Sequence, residues 1–441
     1  MRRSPLLLAP LALCACITSA PPPADFSHGP APVGAPDLVA PAEASFPEAW
    51  RGKTLALHDL FALADANSPA IAAAVARRDA AEAALEQAGL YPNPSLDTGA
   101  RELPLASGAS TDDSAAFAGV SQPVVVGKRR HRAVDAARAR LAQADHALED
   151  TRCNVLFEVY RAYVEILYFT QASELNRALL AEADALVRAT ADDPAANRRA
   201  RVQADERALE VVRYAAEAVY AADRLERFLG GVRPSPDQIH GQLVVGIVPA
   251  ALAVQELDAV ERHPEVLALH AEVEAATLDA RRLRAELTPD VTVRVGAAHV
   301  GDRDEALGEV GLSVPIPIWD RSQGAIAEAE ARAREADARL REARDRLRSE
   351  FRIVVQQVNE WDTLSSEYAR VIVPPAEAAY RDAVEKLARG EATMTDVLDA
   401  QREWFRLANT QLQYLLRLNV VHAQLWRLAG GRAEAFHDPQ E

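Results

Sequence analysis

The sequence predicts a mainly α-helical fold with a small β part, in which one unit of long helical hairpins and a β-hairpin occurs twice. Three observations predict it. Landmarks of the first half return in the second at a nearly constant offset. Stretches free of proline and glycine carry apolar residues at heptad spacing, as lengthwise-packed helices do. Between them lie short segments that alternate apolar and polar residues, the period of a strand with one greasy face. Composition agrees: 49% of the 441 residues are hydrophobic but only 5% aromatic, and alanine, glutamate and arginine suit closely packed helices better than a bulky core.

In chain order, residues 1–15 are expected to be a signal peptide: Arg2 and Arg3 precede an apolar run from Leu6 to Leu13. Leu13-Cys14-Ala15-Cys16 resembles a bacterial lipobox, with Cys16 as the lipidated residue of the mature chain. Ile17 follows where an aspartate would retain a lipoprotein at the inner membrane, so the outer membrane is the expected address. Lipidation of Cys16 leaves Cys153 alone after cleavage, so no intrachain disulfide is available. Residues 16–54 are Pro- and Ala-rich without periodicity, as in Pro21-Pro22-Pro23, and read as a disordered tether.

The first repeat is placed at 55–231 and the second at 255–431, with a linker at 232–254 and a tail at 432–441. Asn67-Ser68-Pro69 is matched by Arg262-His263-Pro264, Pro94 by Pro289, and Gly119 by Gly311. Each copy closes on paired glycines, Gly230-Gly231 and Gly430-Gly431, which read as helix stops. In the helices, Val134, Ala137, Leu141, Ala144, Leu148, Thr151, Val155, Val159, Ala162 and Ile166 are matched, each 192 residues on, from Ile326 to Val358. Both series break their heptad at the same point. Lys128 to about Thr170 alone would span ~65 Å at 1.5 Å per residue, too long for a compact core.

Strands are expected at about 95–101 and 115–122 in the first copy, and at 290–298 and 309–316 in the second. In the second, Val291, Val293, Val295, Val310, Leu312 and Val314 form the apolar face, the candidate lipid-facing side. No apolar run after the leader approaches the ~20 residues of a membrane helix, so a crossing would have to be made by strands. Four strands cannot close a barrel, and open edges in lipid leave costly unpaired backbone groups. Two chains would give eight strands and three would give twelve; the residues themselves do not choose.

With the duplicated unit in view, the chain resembles the TolC family of outer-membrane efflux proteins. Gly311-Leu312-Ser313-Val314-Pro315-Ile316-Pro317-Ile318-Trp319-Asp320-Arg321-Ser322-Gln323-Gly324 is similar to the strand-to-helix junction of its heavy-metal branch, which serves cobalt–zinc–cadmium pumps. Ala388-Arg389-Gly390-Glu391-Ala392-Thr393, continuing to Asp396-Val397-Leu398-Asp399-Ala400-Gln401, resembles the family's pattern at a break in a late helix. The resemblance covers about Leu55 to Gly431. It implies a homotrimer whose twelve-stranded barrel spans the outer-membrane lipid above a twelve-helix tube. It also implies a periplasmic adaptor, a membrane fusion protein, and an inner-membrane resistance-nodulation-division (RND) transporter, with the chain as a passive gated conduit. The family closes at the periplasmic tip. The turns are expected near Gln171 to Leu180 and Arg370 to Pro375, so Glu174, Arg177, Glu367 and Arg370 are the candidate gate.

Other chemistry is not in sight. The ten histidines show no metal-ligand spacing; His263 and His270, seven apart, could share a helix face but read as solvated residues. Asp302 and Asp304 lack the rest of a calcium motif. No phosphate-binding loop or nucleophile elbow occurs, so no enzyme, cofactor or metal is expected. A net charge of −16 argues against nucleic acid. Glu328, Glu330, Glu335 and Asp337 read as a solvated face, which in a tube is also the lumen. The competing readings are a conduit for type I protein secretion and a periplasmic coiled-coil scaffold or adaptor lipoprotein.

Overall fold

The computed structural model describes residues 53–101, 115–243, 256–300 and 305–431. Cys16, the leader, the tether, the tail and part of the linker lie outside the described residues, and so does the loop holding Asp302 and Asp304.

Each copy starts with two helices broken by a proline. Helices α1 (Leu57–Asn67) and α2 (Pro69–Gly89) part at Ser68, which is extended at φ −64°, ψ 121°. Proline drives the residue before it out of the helical region and then serves as the first residue of the next helix. The second copy repeats the device: α5 (Glu256–Glu261) and α6 (Pro264–Ala285) part at His263, with φ −63° and ψ 133°.

The strands follow. β1 (Ser95–Arg101), β2 (Ala115–Val124), β3 (Val291–Val300) and β4 (Glu305–Ser313) form one antiparallel sheet in the order β1-β2-β3-β4. The β2–β3 ladder, from Ala115↔Val300 to Val124↔Val291, joins the two copies. The fourth strand begins and ends earlier than the alternation suggests. Pro315 and Pro317 cannot donate to a ladder, so pairing stops at Ser313 and Val314 falls beyond it.

Long helices complete each copy. α3 (Arg129–Ala189) runs 61 residues, ~92 Å, before turning back into α4 (Pro194–Glu226). α7 (Gln323–Glu367) continues through a π-helical segment, Tyr368–Ile372, into α8 (Val373–Ala388), and α9 (Met394–Leu428) returns. The heptad seam is what they bury: Val155, Val159, Ala162 and Ile166 in one copy, Leu340, Leu347, Phe351 and Val358 in the other.

Both return turns are capped by their own sequence. Asp193 accepts from the Ala195 and Ala196 N–H groups at 2.9 and 3.1 Å, with Pro194 opening α4. At the other, Gly390 takes φ +75°, and Thr393 and Asp396 cap each other: the Thr393 N–H donates to Asp396 Oδ2 at 2.8 Å, the Asp396 N–H to Thr393 Oγ1 at 3.3 Å. The Gly-x-x-Thr pattern is thus a turn and a capping box. The turns adjoin, because Leu186 and Ala200 of the first copy share a core with Tyr380, Val397 and Leu398 of the second.

The paired glycines close each copy on its own beginning. Gly230 and Gly430 have φ of +65° and +79°. A side chain at Gly230 would collide with the Asn67 carbonyl; one at Gly430 would press on Pro264 Cδ at 3.3 Å.

Candidate functional site

Three places on this scaffold can carry function: the sheet, the helical ends and a buried polar junction between the copies.

The register sorts the sheet into two unlike faces. Leu96 pairs with Val120, Val120 with Val295, and Val295 with Val310, so one apolar row crosses all four strands. These residues are 73%, 49%, 57% and 77% exposed, and Leu312, opposite Val293, is 72% exposed. Val291 continues the stripe, and Val314 is exposed just past it. The opposite face is polar. Ser121 Oγ lies 2.9 Å from Ser95 Oγ and donates to Asp97 Oδ2 at 2.6 Å, and the Arg294 guanidinium stands 3.5 Å from that carboxylate. An apolar face left bare in the protomer beside a hydrogen-bonded polar one suits a wall between lipid and water. β1 and β4 each keep one open edge.

The helical ends require a correction. The chain does not turn at Gln171–Leu180 or at Arg370–Pro375. α3 passes straight through the first stretch, and the second lies inside the run from α7 to α8. Pro374 and Pro375 lack the N–H groups an α-helix would aim at Arg370 and Val371, and their rings crowd those carbonyls. The backbone answers by widening: the Val373 N–H bonds the Tyr368 carbonyl five residues back, and the helix continues. Glu174, Arg177, Glu367 and Arg370 therefore lie on exposed helix surface roughly 20 to 30 Å short of the turns. Among the described residues the side chains of these four form no hydrogen bond or ion pair inside the protomer.

At that level the copies differ. In α3, the fully buried Asn176 donates to the Ala172 carbonyl at 2.8 Å and to Asn409 Oδ1 of α9 at 3.0 Å, while Arg207 of α4 donates to its Oδ1 at 3.2 Å. In the second copy the corresponding level is the π-helical segment, where Tyr368 meets Tyr414 of α9 edge to face at 4.8 Å.

The third place joins α3 to the start of α6. Donor atoms of Asp150, His263 and Glu265 lie within 4.8 Å of one another. His263, 1% exposed, caps α6: its Nδ1 accepts from the Glu265 N–H at 3.2 Å. His270 is exposed on the helix, so the two do not share a solvated face. Burial and the Arg427 and Arg346 guanidinium groups push the His263 ring down to about 4. Burial and the Glu265 carboxylate raise Asp150 to about 6. Cys153, one turn along, is buried and driven up to about 12, chiefly by burial, which leaves an inert thiol. One cue for this junction was present in the sequence: a His before a proline is placed to cap the next helix. Nothing in the spacing brings Asp150 to it. The acidic residues of α7 singled out in the sequence are matched by arginines, Glu328 with Arg332 at 2.5 Å, Glu335 with Arg339 at 2.5 Å, Asp337 with Arg341 at 3.0 Å, and Glu330 with Arg284.

The family model for outer membrane efflux proteins matches residues 60–230 and 257–431, one segment per copy. The cobalt-zinc-cadmium resistance protein CzcC of Cupriavidus metallidurans is 25% identical over 369 residues, covering 82% of this chain and 86% of that one. Among solved structures, CusC superposes with a TM-score of 0.71 at 16% identity, over 87% of this chain and 94% of its own. The outer membrane protein VceC of Vibrio cholerae gives 0.70 at 20% identity, over 85% and 96%. The open-state outer membrane channel MtrE of Neisseria gonorrhoeae gives 0.71 at 15%, over 85% and 88%.

Proposed function

The chain belongs to the outer membrane efflux protein family, and from that premise we propose that it is the outer-membrane channel of a tripartite RND-type efflux system that exports metal cations. One observation carries the channel: a four-stranded sheet with a bare apolar face and two open edges stands on helices far longer than any compact domain needs. Three copies joining β4 to β1 close twelve strands and leave no edge in lipid. The helices then extend into the periplasm towards an adaptor and an inner-membrane transporter, and the channel itself is a passive conduit. The metal cargo is supported by the likeness to the cobalt-zinc-cadmium resistance protein and by the Trp319-Asp320-Arg321 junction.

Two finer assignments belong to this reading. Cys16 carries the lipid that delivers the chain to the outer membrane; mass spectrometry of the mature N-terminus should find it acylated, and an unmodified start near Ala20 refutes it. Glu174, Arg177, Glu367 and Arg370 link neighbouring protomers at a constriction above the tip. They are exposed, stand as an acidic and a basic residue three apart in each copy (174 and 177, 367 and 370), and their side chains are unused within the protomer.

The function is tested by metal tolerance. Cells deleted for the chain, with adaptor and transporter intact, should lose tolerance to Co²⁺, Zn²⁺ or Cd²⁺ and regain it with the wild-type gene; unchanged tolerance to all three rejects the cargo. The barrel is tested separately. Val293→Asp, on the apolar face, should cost a few kcal/mol at mid-membrane and deplete the trimer, whereas Thr292→Asp should be tolerated. Equal loss in both variants would reject the lipid-facing assignment.

A further inference from the structure

Donor atoms of Asp150, His263 and Glu265 converge within 4.8 Å where α3 of the first copy meets the start of α6 in the second. The ring decides what can sit there. Its Nδ1 lone pair is engaged by the Glu265 N–H. A metal ion on Nε2 would require the proton on Nδ1, which would then face that N–H and break the cap. The Arg346 and Arg427 guanidinium groups stand close by as well, adding positive charge where an ion would have to bind. By the same accounting an imidazolium is excluded, because it would also carry a proton on Nδ1. His263 is therefore held neutral by geometry.

The carboxylates are not equal either. Glu265 is paired with Arg346, and Glu350 with Arg427 at 3.2 Å. Asp150 has no guanidinium partner among the described residues and receives only the Asn154 amide at 3.2 Å. It faces Glu265 across the junction. From its own helix come Cys153 and Glu149, the latter paired with Arg152 at 2.9 Å; from α7 come Arg346 and Glu350; from α9 comes Arg427.

We infer that Asp150 and His263 form a one-proton pair: in acid the folded chain carries the proton on the Asp150 carboxyl, whereas the unfolded chain carries it on the histidine. The consequence is compensation. Raised to about 6, Asp150 contributes stability in acid that is lost as pH rises from 3.8 through 6. Lowered to about 4, His263 contributes stability at neutral pH that is lost as pH falls from 6.5 through 4. Between about 4 and 6 the two slopes oppose each other, and the junction between the copies keeps its strength while the medium acidifies.

The test is denaturant unfolding of the full-length protein in mild detergent from pH 4 to 7, as wild type, Asp150→Asn and His263→Asn. Asparagine preserves the size of the first and the capping ability of the second. Relative to wild type, the unfolding equilibrium of Asp150→Asn should shift towards the folded state as pH rises from 4 to 6. That of His263→Asn should shift the other way, each by roughly tenfold per pH unit. Tilts in the same direction, a tilt in one variant alone, or none at all would overturn the pair. Should either variant fail to assemble, wild-type protein labelled with ¹³C at the aspartate carboxyl gives the answer by infrared spectroscopy. A protonated-carboxyl band at pH 5 that is gone at pH 7 supports the pair, and its absence at pH 5 overturns it.

Discussion

At one level of the long helices the two copies of the same unit have taken opposite courses. In the first, α3 runs unbroken past Asn176, whose buried amide ties it to α9 and α4. In the second, a diproline forces a π-helical turn between α7 and α8, and the contact across to α9 is an aromatic edge, Tyr368 on Tyr414. Duplication supplies two equivalent helices; two prolines on one side and a buried asparagine on the other make one a strut and the other a joint. π-helical turns and proline breaks are where helices bend, and of the two equivalent helices it is the one in the second copy that carries them.

The largest test is to put the joint where the strut is. Ala181, on exposed α3 surface, corresponds to Pro374 at the 193-residue offset (181 to 374). Ala181→Pro should cost ~3 kcal/mol or more, because α3 has no widened turn to receive the ring. Loss of assembled protein on native gels would read this out; an unchanged thermal midpoint would show that α3 is no stiffer than its counterpart. Next comes the tie itself: Asn176→Ala strands Arg207 and Asn409 without a buried partner and should cost ~1–3 kcal/mol.

The reverse change is smaller and of opposite sign. Replacing Pro374 and Pro375 by alanine together restores two donors and should stabilise by about 1 kcal/mol. Amide exchange across 368–376 should then slow several-fold while that of 172–180 stays the same. Smallest in stability, but telling for passage, is the proposed gate. Arg370→Ala and Glu174→Ala should leave the thermal midpoint in place yet give larger or more frequent open currents in planar bilayers. Unchanged currents in both would return these residues to ordinary helix surface.

The same contrast marks what could be read from residues alone. The heptad seam was legible because burial along a helix has a period, and Val159, Phe351 and Val358 lie where the spacing puts them. The apolar strand face was legible because alternation has a period too, up to Ser313, where prolines end the ladder. The return turns were not. Pro374-Pro375 looks like a helix stop, and the π-helical widening that absorbs it has no sequence period; the real stops were the small capping devices at Asp193 and Gly390–Thr393. His263 was misread because adjacency to His270 in sequence suggested a shared helix face. The residue instead ends one backbone conformation and caps another, in company that only tertiary packing assembles.

The β2–β3 ladder has a bearing on how such a wall could be put together. Because it fuses the two copies into one sheet, each chain of the proposed trimer brings its share of the barrel as a single plank, and a ring of three has three joints to seal where six separate hairpins would have six. Every intermediate short of closure still exposes two rows of unsatisfied peptide groups, which hydrocarbon does not tolerate. Insertion and oligomerisation therefore cannot be sequential events. In the proposed trimer a lone chain waits outside the bilayer core, and the membrane admits it only as the last joint forms.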